Sequence, residues 1–264
     1  MPAEQLLQGK TVIVSGVGPG LGHRVAAAVV RDGGRAVLGA RTRAGLARTA
    51  EQIDPDGGHS AYRTADITDE TQCEALAALA VERFGRIDAV VHVAAWDSSF
   101  GGLEDADFAV WQQVIDVNLL GTLRMTRACL PSLKQRGGSV VIIGTQSAVA
   151  APSQVRQAAY AASKGALTSA MYSLARELGP HRIRVNTVLP GWMWGPPVQA
   201  YVRLTADSEG VPESEVLARL TERMALPEPA TDADVAEAAA FLASDRARSI
   251  TGQSLLVNAG EVMR

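Results

Sequence analysis

The chain is poor in the residues that build metal sites and disulfide frameworks. It carries two cysteines and four histidines in 264 residues. Cys73 and Cys129 share no motif spacing and read as reduced, incidental thiols. Four scattered histidines with two cysteines make a Cys/His metal site an unfavoured reading. There is no excess of positive charge either: the formal net charge is −3 and the isoelectric point is about 5.8. A phosphate-backbone binder usually shows a basic face, so nucleic acid is not an expected partner. No apolar run approaches the ~18 residues that cross a bilayer, which excludes a helical membrane anchor within this sequence. The longest run, around Ala89–Trp96, is of strand length. Met1–Gln5 lacks the basic-then-apolar order of a secretory leader, and a cytoplasmic location is expected.

What is present alternates in type. Thr11–Ser15 is β-rich and runs into glycines, and Leu21–Asp32 reads as a helix closed by Gly33-Gly34. Strand signals return at Ala36–Ala40, Tyr62–Ala65, Ile87–Val93, Ser139–Ile143, Arg184–Leu189 and Ser254–Val257. Between them lie helical patterns: one ending at Ile53, then Thr68–Phe84, Phe108–Gln135, Gln157–Leu178 and Asp232–Ala243. Strands such as Ile87–Val93 are apolar at nearly every position, as in a parallel sheet covered on both faces. The order predicts an α/β fold of one domain over residues 1–264, a doubly wound parallel sheet of about seven strands with helices on both faces. One stretch, Pro190–Pro229, is rich in proline and holds Trp192 and Trp194. It is too long for a simple connection and reads as a substrate lid at about 191–229.

Two local patterns point to chemistry. The first is Gly16-x-x-x-Gly20-Leu21-Gly22, set between the first strand and the first helix. Glycine lets a phosphate approach the backbone, and a helix N-terminus offers free N–H groups and a positive dipole end. In the first βα unit of a doubly wound sheet, that turn predicts dinucleotide binding. The second is Tyr160-x-x-x-Lys164, with Ser147 upstream. Residues four apart share one helix face. An ammonium beside a phenol favours the phenolate and lowers its pKa, which makes a proton donor or acceptor usable near neutrality.

Taken together, and in order along the chain, these residues resemble the short-chain dehydrogenase/reductase family, of Ser-Tyr-Lys type. The glycine turn, Asn118 in Asp116-Val-Asn-Leu119, Ser147, Tyr160 with Lys164, and Arg184-Val-Asn-Thr-Val-Leu-Pro-Gly191 all stand in register. Phe241-Leu-Ala-Ser-Asp245 and Ile250-Thr-Gly-Gln253 continue the likeness to the C-terminal part. The resemblance implies hydride transfer between a nicotinamide cofactor and a carbonyl or secondary alcohol. It assigns Tyr160 as general acid/base, Ser147 as hydrogen-bond donor to the substrate oxygen, and Lys164 to the nicotinamide ribose. Asn118 would hold a water that links Lys164 to solvent. Gly16, Gly20, Leu21 and Gly22 would line the pyrophosphate, Asp66 with Ile67 and Ala94 the adenosine side, and Pro190 and Met193 the carboxamide. It also implies a homo-oligomer, a tetramer or dimer.

Three departures stand out. The family usually has Asn-Asn-Ala-Gly after its fourth strand, where this chain has His92-Val93-Ala94-Ala95. Altered packing is expected there, with His92 as a core residue. Gly195 stands where a threonine often contacts the carboxamide. At the end of the second strand the chain reads Ala40-Arg41-Thr42-Arg43, without the acid that bonds a ribose 2′-hydroxyl. Arg41 suits a 2′-phosphate, so NADP is the expected cofactor, with NAD as the alternative. Trp192, Met193 and Trp194 suggest an apolar small-molecule substrate. A 3-oxoacyl-thioester (acyl-carrier-protein) reductase is the alternative activity. A non-catalytic dinucleotide sensor or a dehalogenase-type lyase is the remote one, since both would be expected to lose residues that are intact here.

Overall fold

A computed structural model describes residues 5–151 and 155–264. Seven parallel strands form one sheet in the order β3-β2-β1-β4-β5-β6-β7. They are β1 (Thr11–Ser15), β2 (Arg35–Ala40), β3 (Ser60–Thr64), β4 (Ala89–His92), β5 (Gly138–Ile143), β6 (Ile183–Pro190) and β7 (Ser254–Val257). Both faces are covered, and the strands alternate between them residue by residue. Val12, Val14, Leu38, Val91 and Val141 face one layer. There they meet α1 (Leu21–Arg31) and α9 (Asp232–Ala243), which pack through Val25, Val29, Val235 and Ala239. Ile13, Val37, Val90, Val140 and Ile142 face the other layer. That layer is built by α3 (Glu70–Phe84), α5 (Thr122–Arg136) and α6 (Ala158–Leu178). Two buried faces explain why the strands read as unbroken apolar runs. The remaining helix of the first half, α2 (Arg43–Ile53), follows β2.

The helix expected over Phe108–Gln135 is not continuous. It divides into α4 (Phe108–Ile115), a π-helical turn over Asp116–Gly121, and α5. Such turns are common at functional sites because they re-aim a side chain. Here the turn places Asn118, fully buried, against the chain leaving β4.

The Arg184–Gly191 motif has a structural role. The Arg184 guanidinium donates to the carbonyls of Leu242 at 2.7 Å and Ser244 at 2.9 Å, capping the C-terminus of α9. Asn186 donates to the Ile250 carbonyl at 2.8 Å and accepts from the Gln253 N–H at 3.1 Å. The strand is thereby tied to the segment that leads into β7.

The segment between β6 and α9 contains two helices, α7 (Pro196–Glu209) and α8 (Glu213–Thr221). They share a small core of Val202, Ala206, Val216 and Leu220. Trp192 and Trp194 pack into that core, Trp192 with its ring 5.2 Å from Tyr201. Both tryptophans are partly buried against these two helices, and neither is among the residues lining the cleft described below.

Candidate active site

Strand order reverses between β1 and β4, and ligands of open α/β sheets bind outside the carboxyl ends at such a point. A cleft of about 930 Å³ opens there. Its floor is a very close approach of two chain segments. Gly16 has φ +98°, and a Cβ on it would lie 2.1 Å from the Ala94 nitrogen. The Val93 and Ala94 N–H groups both donate to the Ser15 carbonyl at 2.8 Å. This is how His92-Val93-Ala94-Ala95 is accommodated: the backbone itself closes over the glycine turn. Gly22 packs beneath it, where a Cβ would lie 2.3 Å from the Gly16 carbonyl oxygen. Gly20 precedes α1 and supplies no capping side chain; the His23 N–H donates to the Gly18 carbonyl at 3.2 Å, and those of Leu21 and Gly22 are left for a ligand.

His92 is a core residue, as expected. It is 2 % exposed, and its Nε2 lies 2.8 Å from the Thr126 hydroxyl, which itself donates to the Thr122 carbonyl. Burial holds its pKa down at about 3, so the ring is neutral.

The far end of the cleft carries charge: Arg41 lines it, and so does Arg48, which the sequence pattern had not singled out. Arg48 is one helical turn beyond Ala44, another cleft residue, so the face of α2 was the available signal. Neither arginine forms an ion pair among the described residues. Asp66 is in the cleft with Ile67; its Oδ1 accepts from the Thr68 N–H at 2.9 Å and hydroxyl at 2.8 Å. The cap of α3 is Asp69, not Asp66.

At the near end, Tyr160 and Lys164 lie on one face of α6, with the Lys164 Nζ 5.9 Å from the centre of the phenol ring. Lys164 is 2 % exposed and donates to the Ile143 carbonyl at 2.7 Å. Burial lowers its pKa to about 8, with Asp97 acting in opposition. Burial likewise pushes the Tyr160 hydroxyl up; Asp97 adds to the shift and the Thr145 hydroxyl, interacting with the phenol, opposes it. Both groups are thus driven toward their neutral forms. For the phenol, burial is the largest influence, and the one charge acting on it, that of Asp97, works in the same direction.

Thr145, buried at the end of β5, is the hydroxyl facing Tyr160. Ser147 lies in the short 3₁₀ turn that follows; its N–H donates to the Thr145 hydroxyl oxygen at 3.2 Å, and it does not line the cleft. Asn118 is committed to protein partners. Its Oδ1 accepts from the Trp96 N–H at 2.7 Å, and its Nδ2 donates to the Trp96 carbonyl at 3.1 Å and the Ser163 hydroxyl at 3.0 Å. It clamps the main chain that carries Trp96 and Asp97 into the cleft. Pro190 and Met193 line the cleft with Tyr160 and Lys164, whereas Gly20 and Gly22 do not line it.

The family profile described as enoyl-(acyl carrier protein) reductase matches residues 16–261. This chain belongs to the short-chain dehydrogenase/reductase family. L-rhamnose 1-dehydrogenase (NAD(P)(+)) of Azotobacter vinelandii is 35 % identical over 259 residues, covering 97 % of each chain. L-fucose dehydrogenase of Bos taurus is 33 % identical, over 96 % of this chain and 89 % of that one. Among solved structures, a variant of actinorhodin polyketide ketoreductase with NADPH superposes with a TM-score of 0.84 at 29 % identity, over 94 % of this chain and 95 % of that one. The short-chain dehydrogenase/reductase is therefore an NAD(P)-dependent oxidoreductase with a nicotinamide cofactor. The glycine cradle, the uncapped start of α1 and the free guanidinium groups fit that cofactor. Among the described residues no helix is long and apolar enough to cross a membrane.

Proposed function

We propose that this enzyme interconverts a secondary alcohol and a carbonyl with a preference for NADP(H), and that Tyr160 is its general acid/base. The observation that carries the reading is the pairing of a half-buried phenol with a buried lysine at one end of a cleft whose other end bears two unpaired arginines. When bound, the cofactor supplies or accepts the hydride. The protein's part is to hold and move a proton. Tyr160, kept neutral by burial, is ready to donate its proton to a substrate oxygen as negative charge grows there. Thr145 supports that oxygen or the phenol as a second donor, with Ser147 as the next hydroxyl along the turn. Lys164, charged below a pH of about 8, takes the ribose hydroxyls. Asn118 fixes Trp96 and Asp97 as the substrate-side wall; a water relay through it is the additional role the family likeness suggests.

Arg41 and Arg48 are placed to hold a ribose 2′-phosphate, and the Thr42 hydroxyl at the start of α2 makes no capping bond and is left to join them. The similar rhamnose and fucose dehydrogenases favour a polyhydroxylated alcohol as substrate. The likeness to polyketide ketoreductases supports 3-oxoacyl-thioester reduction as a second reading. Asp97, lining the cleft, weighs against an anionic substrate there. We assign the lid role to 191–229, expect a cytoplasmic enzyme, and expect a homo-oligomer. Support for the oligomer comes from Phe108 on α4, Tyr172 on α6 and Leu255 on the edge strand β7, all exposed apolar or aromatic groups.

The test is a panel of sugars, secondary alcohols and ketones assayed with both cofactors. The reading expects turnover with a higher kcat/KM for the NADP(H) form. Higher kcat/KM with NAD(H) would overturn the cofactor preference, and full turnover by Tyr160→Phe would overturn the acid/base assignment.

A further inference from the structure

A second cavity, of about 570 Å³, opens at the amino ends of β1, β4, β5 and β6. The cleft that holds Tyr160 lies at the carboxyl ends of the same sheet, so the two are on opposite edges of it. Six cations and two acids line the second cavity: Lys10, Arg86, Arg136, Arg182, Arg184 and Arg248 against Asp88 and Asp245. The whole chain carries a net charge of −3, so this excess of positive charge is local.

The acids are already taken. Lys10 pairs with Asp245 at 2.9 Å, and Arg86 pairs with Asp88. Arg184 donates to the neutral carbonyls of Leu242 and Ser244, and Asp245, shared with Lys10, is the acid that acts on it. Burial lowers the Arg184 pKa against that influence, as for a cation held from water without a full counter-charge. Arg136, Arg182 and Arg248 are exposed and make no ion pair or side-chain hydrogen bond among the described residues.

Close backbone contacts fix the segments that carry these groups. A Cβ on Gly137 would lie 2.7 Å from the Arg182 carbonyl oxygen, and one on Gly138 would lie 2.4 Å from that of Asp88. The Gly138 N–H donates to the Arg182 carbonyl at 3.1 Å, and the Ser139 N–H to the Asp88 carbonyl at 3.0 Å. The end of α5, with Arg136, is thus pressed against the turn that carries Arg182. A concavity lined by one sign of charge focuses its field and concentrates counter-ions, and a bound anion relieves the repulsion among its walls.

We propose that this cavity binds a small anion bearing two or more linked phosphates, held by Arg136, Arg182, Arg184 and Arg248. Arginine's planar fork matches phosphate oxygens. One phosphate carries only about −1.5 to −2 near neutrality, too little to answer four guanidinium groups. The volume falls in the range of small-molecule sites, roughly 300–1,000 Å³, which is more than a single ion fills.

The probe is inorganic tripolyphosphate, titrated by calorimetry into enzyme saturated with NADPH and, separately, into the Arg41→Ala, Arg48→Ala protein. Both arms remove the phosphate-binding groups of the cleft from competition. One equivalent is expected to bind in each, more weakly as salt is raised. Arg136→Ala with Arg182→Ala should raise the Kd at least ~10-fold, with kcat and KM unchanged. Arg248→Glu, at an independent exposed position, should weaken binding as well, whereas Arg203→Ala on α7 should not. Inorganic phosphate should bind at least ~10-fold more weakly than tripolyphosphate. Absence of saturable binding in both arms would overturn the proposal. So would equal affinity for inorganic phosphate, or an Arg203→Ala effect as large as that of the cavity variants.

Discussion

The two ends of the cleft work by opposite physics. The adenosine end presents Arg41 and Arg48, permanent charges in contact with water, where attraction to a phosphate is screened and graded. The proposed reacting end half-buries Tyr160, buries Lys164 and drives both toward neutrality. On the proposed reading, recognition falls to groups whose charge never changes, and the proton step to groups that burial holds toward their neutral forms. The difference implies that binding and turnover can be damaged separately.

The largest expected effect is at the buried end. Tyr160→Phe removes the transferable proton and should cut kcat by at least ~10³-fold in steady-state assays, with NADPH affinity unchanged in a fluorescence titration. Next comes the hydroxyl beside it. Thr145→Ala is expected to lower kcat about 10²-fold, as for loss of one donor to a developing oxyanion, whereas Ser147→Ala should change it less than about fivefold. The reverse ranking would return the substrate-side hydroxyl to Ser147. At the charged end, Arg41→Ala with Arg48→Ala should raise the Kd for NADPH about 10- to 50-fold and leave that for NADH nearly unchanged. The smallest effect is on stability. Lys164 has a folded-state pKa of about 8, below its unfolded value, so the unfolded chain binds the extra proton between pH 8 and 10.5. Burying this lysine therefore costs stability in full below pH 8, and the cost is relieved as pH rises through that window. Lys164→Met should raise the thermal midpoint at pH 7 by the equivalent of about 1–2 kcal/mol, and less at pH 10.

Much of this architecture was legible in the chain. Unbroken apolar strands named the two-sided sheet, and the glycine turn with Tyr160 and Lys164 located the cleft. The misses share a cause: each depends on where a backbone path turns in space. A helical period runs through Phe108–Gln135 without announcing the π-helical turn at Asn118. The Thr145 hydroxyl at the end of β5, which interacts with the phenol, carries no spacing signal of its own in the sequence. Trp192 and Trp194 are bulky and adjacent to the site in sequence, yet α7 and α8 need them as core. Gly195 was visible as a departure, while Asp232, which a Cβ there would meet, lies far along the chain and only the fold brings them together.

The separation of the two ends is tested most directly by measuring NADPH affinity and single-turnover rate on the same two proteins, Tyr160→Phe and the Arg41→Ala, Arg48→Ala pair. A crossed result is predicted: the tyrosine variant binds normally and does not turn over, and the arginine variant binds weakly but reacts at the wild-type rate once saturated. Loss of both affinity and rate in both proteins would contradict the account.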